Sequence, residues 1–224
     1  MKRVKKLVIF LLLIVMAVAV VGCSKSKKKS TNQKTVINKK TQIKVTNFVL
    51  DSDSTFTIIY EEDFDEDYYD KNELESMIDS EVNEFNSNYA LSSSSGMSKK
   101  ELLVENGKAK LSLKFIDSHD YIEYEKNYVD SKRNAKLFIG EYDDAVSEGY
   151  KAVGRFTDLT GNKIDDVENL AKGEGMEVLF TNQGFNMTIR GEVVAFNGSV
   201  EYDSESGLYI TSDKKENYII YKRN

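Results

Sequence analysis

From Met176 to the C-terminus the chain carries only one kind of local pattern, short apolar–polar alternations broken by turn-formers. The segments MEVLF, FNMTIR, EVVAF, SVEY, LYIT and NYIIYK are separated by TNQG, NG, DSESG and SDKKEN. A period of two places alternate side chains on opposite faces, which suits a pleated strand and not a helix. This last third is therefore expected to be a β-meander.

The first two-thirds reads differently. Ile43–Leu50 and Phe56–Tyr60 are expected strands joined by the turn Asp51–Ser54. Asp70 then offers an N-cap, with Glu73 completing a capping-box-like pair. Leu74, Met77, Ile78, Val82, Phe85 and Tyr89 follow at helical spacing on one face, which predicts one long helix. Leu91–Ser98 reads as a loop, and Glu101–Phe115 as a hairpin turning at ENGK. Ser118 or Asp120 is a candidate cap for a second helix carrying Tyr121, Tyr124, Tyr128 and Val129. Lys136–Ile139 and Val153–Thr157 are expected strands, Asp143–Glu148 and Asp165–Ala171 short helices. The fold class is thus α+β, mainly antiparallel sheet with one long and two or three short helices.

The N-terminus is organised for processing and not for folding. Lys2, Arg3, Lys5 and Lys6 precede an apolar run from Leu7 to Val21. Fifteen helical residues cover about 22 Å, less than the roughly 30 Å hydrocarbon core. The run ends in Val20-Val21-Gly22-Cys23, which holds the chain's single cysteine. This resembles the lipobox of bacterial lipoproteins. The resemblance implies diacylglycerol on the Cys23 thiol and cleavage between Gly22 and Cys23. An uncleaved helix from Leu7 to Cys23, or a freely secreted chain, are the competing readings. The layout also resembles uncharacterised surface lipoproteins of low-GC Gram-positive bacteria, and a composition without proline or tryptophan fits such a host. The expected division is a signal peptide at 1–22, a lipidated cysteine and tether at 23–41, and an extracytoplasmic domain at 42–224. Localisation at the outer face of the cell membrane follows from the same resemblance.

Between Ser24 and Thr41 there are seven lysines, no acidic residue and no aromatic. Such a segment cannot bury enough apolar surface to order itself and reads as a tether, about 60 Å long when stretched. Its lysines either attract an anionic membrane surface or only keep the tether soluble. The remaining chain from Gln42 carries 20 basic and 37 acidic side chains, about −17. A nucleic-acid partner is disfavoured, because a polyanion would be repelled.

Chemistry-bearing motifs are few. His119, the single histidine, lies in DSHD where a helix start calls for a polar residue anyway. No GxSxG element accompanies it, so a Ser-His-Asp triad is not supported. Zinc sites built on cysteine and histidine are excluded, with one histidine and Cys23 lipidated. Asp51–Glu84 holds fourteen acidic residues against Lys71 alone. Within it Asp63, Asp65 and Asp67 have the opening spacing of an EF-hand loop, a candidate calcium site. Tyr68 stands where that loop needs glycine, and Leu74 where it needs a bidentate glutamate. A second opening, Asp158 with Thr160 and Asn162, has its Gly161 two places too early.

The leading expectation is a membrane-anchored, non-enzymatic binding module with no cofactor beyond the lipid. Its candidate binding face is Glu61, Glu62, Asp63, Asp65, Glu66 and Asp67, and its partner a protein or envelope polymer. The alternatives are an envelope-modifying hydrolase using carboxylates, and a calcium-binding surface protein.

Overall fold

The computed structural model describes residues 47–66, 69–90, 96–213 and 215–223. Gly22, Cys23, the tether and Asp67 lie outside the described residues.

The described chain forms two sheets. In chain order its strands are β1 (Phe48–Leu50), β2 (Phe56–Asp63), β3 (Met97–Glu105), β4 (Lys108–Phe115), β5 (Leu137–Gly140), β6 (Phe156–Thr157), β7 (Lys163–Ile164), β8 (Met176–Thr181), β9 (Asn186–Ile189), β10 (Gly191–Asn197), β11 (Glu201–Asp203), β12 (Leu208–Ile210) and β13 (Asn217–Arg223). Helices are α1 (Lys71–Asn88), α2 (Ser118–Tyr124), α3 (Tyr142–Ser147) and α4 (Val167–Ala171), with a π-helical turn at Glu125–Val129 directly after α2. One sheet runs β11-β12-β9-β1-β2-β4-β3 and the other β5-β8-β13-β10-β6-β7. Pairing is antiparallel throughout except between β1 and β9. The α+β class is as the sequence predicts, one long helix and three short ones included.

The C-terminal third is all strand, but its strands are shared between the sheets. β9, β11 and β12 join the first sheet, while β8, β10 and β13 join the second. Only β11 and β12 pair as sequential neighbours there. Strand β13 shows why alternation alone does not assign a sheet. Tyr218 and Ile220 point into one cluster with Phe138, Val178, Phe180 and Ala195, beneath α3 and α4. Ile219 and Tyr221 point into the other, with Phe48, Phe56, Leu113, Ile78 and Phe85. The second sheet is therefore covered on both faces, and NYIIY is buried at every position. The first sheet buries one face, carrying Phe48, Leu50, Ile58, Leu111, Leu113, Phe115 and Met187.

Local chemistry explains the element ends. The Asp70 carboxylate accepts from the amides of Asn72 at 2.7 Å and Glu73 at 3.2 Å, capping α1. Leu74, Ile78 and Phe85 are its buried stripe. Lys99 of β3 reaches Glu75 at 2.8 Å and Asp79 at 2.7 Å, tying the helix to the sheet edge. The β3–β4 turn places Asn106 at φ 51° and Gly107 at φ 70°, the paired left-handed geometry that matches strand twist in tight hairpins.

Three boundaries differ from the sequence reading. Strand β3 begins at Met97, inside the expected loop, and carries a bulge between Lys99 and Glu101 that disturbs the alternation. Strand β2 runs on to Asp63, because Lys110 and Lys108 of β4 stand opposite Glu61 and Asp63. The cap of α2 is Asp117, not Ser118 or Asp120: its carboxylate accepts from the Asp120 amide at 2.9 Å, which makes Asp120 the third helical residue.

Candidate functional site

The acidic run is built as a strand end, not a ligand cage. Lys108 meets Asp63 at 2.6 Å and Glu61 at 3.9 Å, and Lys110 meets Glu61 at 3.3 Å. Glu61, Glu62, Asp63, Asp65 and Glu66 are all exposed. Among the described residues, Asp63 and Asp65 do not fall in a group with ligand spacing; the one that does is Asp117, His119 and Asp120. The Asp158 loop is also self-contained. Its carboxylate accepts from the amides of Thr160 and Asn162, each at 2.9 Å, and the Thr160 hydroxyl and those bonds hold its pKa at about 2.

Buried carboxylates elsewhere are engaged by tyrosines and arginines. Glu177 accepts from the Tyr221 hydroxyl at 2.6 Å, the Ser54 hydroxyl at 2.8 Å and Arg223 Nη1 at 2.9 Å. It lines a cleft of about 290 Å³ together with Glu141, Asp143, Lys172 and Glu174. Glu81 of α1 accepts from the Tyr124 hydroxyl at 2.8 Å, and desolvation pushes its pKa up to about 7, with Glu84 adding to the rise.

Glu125 is the most enclosed acid on the π-helical turn, 2% exposed. Its oxygens accept from the Tyr60 hydroxyl at 3.3 Å and Arg133 Nη1 at 3.4 Å. Burial raises its pKa above the ordinary carboxylate value, and Arg133 opposes that rise. The turn closes through the Asp130 amide donating to the Glu125 carbonyl at 2.8 Å, an i→i+5 bond. Glu125 stands four residues after Tyr121, on the same buried helix face, and the wider turn follows it. No sequence periodicity marks the change, and the sequence reading missed it.

Arg133 links this buried acid to a groove of about 630 Å³. Its walls are Asp130, Lys132, Arg133, Asn134, Asn182, Gln183 and Asp213. Each wall is locally fixed. The Asp130 carboxylate accepts from the Lys132 amide at 2.9 Å. Asn182 accepts from the Lys136 amide at 2.8 Å and donates to the Asn134 carbonyl at 2.8 Å. Asp213 accepts from the Gly184 amide at 2.8 Å, an approach that a β-carbon on Gly184 would crowd at 3.0 Å. Gln183 is 4% exposed; its side-chain nitrogen donates to Asn182 at 2.5 Å, while its side-chain oxygen has no partner among the described residues. Such a buried acceptor without a donor costs about 1–3 kcal/mol. The three loops involved are about 30 to 80 residues apart in sequence, so the groove has no linear signature.

No helix among the described residues is long and apolar enough to cross a membrane. In comparisons with known proteins, no family model, curated protein or solved structure matches the chain.

Proposed function

We propose that this chain is a lipid-anchored, non-enzymatic binding module, held by Cys23 at the outer face of the cell membrane, whose groove takes a polar envelope polymer. The observation that supports this reading is the groove's lining. All seven wall residues are polar or charged, and both signs are present. A protein hot spot centres on apolar and aromatic anchors. A glycan with its peptide cross-link instead offers hydroxyls, amides and both charges, which suits these walls. The lipobox and the lysine-rich tether put the domain within reach of such a polymer.

Titration of the full chain in detergent with soluble wall fragments tests this. Binding is expected, and Lys132→Glu combined with Asn134→Ala should abolish it, since both side chains are exposed and removable without unfolding. Glu62→Gln with Glu66→Gln should leave it unchanged. Loss in the second pair and not the first would move recognition to the acidic face. A carboxylate hydrolase is the second reading, favoured by the acid-lined cleft around Glu177. Breakdown of the fragments that disappears in Glu177→Gln would replace the binding reading.

A further inference from the structure

We propose a divalent transition-metal site, of the zinc type, formed by Asp117, His119 and Asp120 at the start of α2. A carboxylate oxygen from each aspartate and a ring nitrogen of His119 lie within 4.8 Å of one another. Neighbouring ligands of a tetrahedral ion of this type stand about 3.4 Å apart, for ligand bonds of about 2.1 Å, so the group is open by up to about 1.4 Å. His119 is exposed and has no hydrogen bond among the described residues, so its ring can close the difference.

The second observation is an orphaned acid. Asp120 is 0% exposed, and its Oδ1 has no partner among the described residues. Its Oδ2 is held by the Gly96 amide at 2.6 Å. Asp117 is arranged the same way, with Oδ1 taken by the Asp120 amide at 2.9 Å and the other oxygen left over. Each carboxylate thus has one oxygen fixed by a backbone N–H and one available, the division that orients ligands in metal sites. A dication balances the two acids and supplies the electrophile that Asp120 Oδ1 lacks.

One imidazole with two carboxylates favours zinc-type ions over calcium, which takes oxygen ligands only. This donor set differs from the cysteine–histidine sites that the sequence excludes. The positive end of a helix opposes a cation. That cost is small beside two facing carboxylates, one of them out of water.

The test is isothermal titration of the full chain carrying Cys23→Ser in detergent, so that no thiol competes for zinc. Zn²⁺ alone should bind one site, and His119→Ala should weaken it at least about tenfold, the loss seen for even indirect partners of a metal. Asp117→Asn, which keeps a capping oxygen, should weaken it comparably. A sample loaded with Co²⁺ should show d–d absorption that His119→Ala removes. Metal-free melting curves of His119→Ala and its parent should coincide, which separates lost coordination from lost fold. Equal Zn²⁺ affinity in His119→Ala, or no Zn²⁺ binding by the parent, overturns the site. Ca²⁺ binding that displaces Zn²⁺ and ignores His119→Ala overturns it as well.

Discussion

Glu81→Gln should make the domain more stable at pH 8 and leave it unchanged at pH 4.5. Glu81 sits on α1 against the Tyr124 hydroxyl, and its pKa is raised from the ordinary 4.5 to about 7. A group whose folded pKa lies above its unfolded value binds protons more readily when folded. Its contribution is fully present below pH 4.5 and is lost as pH rises through about 7. The full displacement corresponds to at most about 3 kcal/mol. Glu81 is half-buried, so solvent screening reduces this to about 1–2 kcal/mol. Glutamine keeps the acceptor for Tyr124 without the charge and so removes the pH-linked loss. Thermal melts across pH 4.5–8 should show the parent falling relative to Glu81→Gln, by about 3–8 °C at the upper end. Parallel curves, or a Glu81→Gln protein less stable at pH 8, would refute the reasoning.

Ile219→Ala removes a fully buried side chain from the central strand of the second sheet and should cost about 3–5 kcal/mol, read as a fall in the urea midpoint with an unchanged slope. Gly107→Ala puts a β-carbon at φ 70° and within 3.1 Å of the Asp65 β-carbon, so it should cost about 1–2 kcal/mol, seen as a drop of a few degrees in melting temperature.

Helix α1 was legible because its cap and its stripe are written in consecutive residues. Asp70 caps it, and Leu74, Ile78 and Phe85 return to one face. The ENGK hairpin was legible for the same reason, since Asn and Gly are the residues that accept positive φ. The acidic run was legible as charge but not as pairing, because its partners Lys108 and Lys110 arrive from another strand. Glu125 was hidden by its residue type: a glutamate is ordinarily solvent-facing, although its position four residues after Tyr121 puts it on the buried face of the helix. In the sequence His119 reads as an ordinary polar helix start. What singles it out is Asp120, whose burial depends on packing against Gly96.

By itself the sequence determined the periods, the caps, the turns and hence the α+β class, because each depends on residues within one or two turns of chain. It also carries the N-terminal lipobox resemblance, which is a local pattern. Only the tertiary structure decided which strands share a sheet. Strands β8 to β13 have similar alternation, yet β9 pairs with β1 across some 139 residues while β13 lies between β8 and β10. That choice depends on summed burial of both faces of a sheet, which no local window contains. The groove and the Asp117–His119–Asp120 group depend on the same long-range packing: Gln183 and Arg133, and Asp120 and Gly96, meet only after the sheets and α2 have closed on their common core.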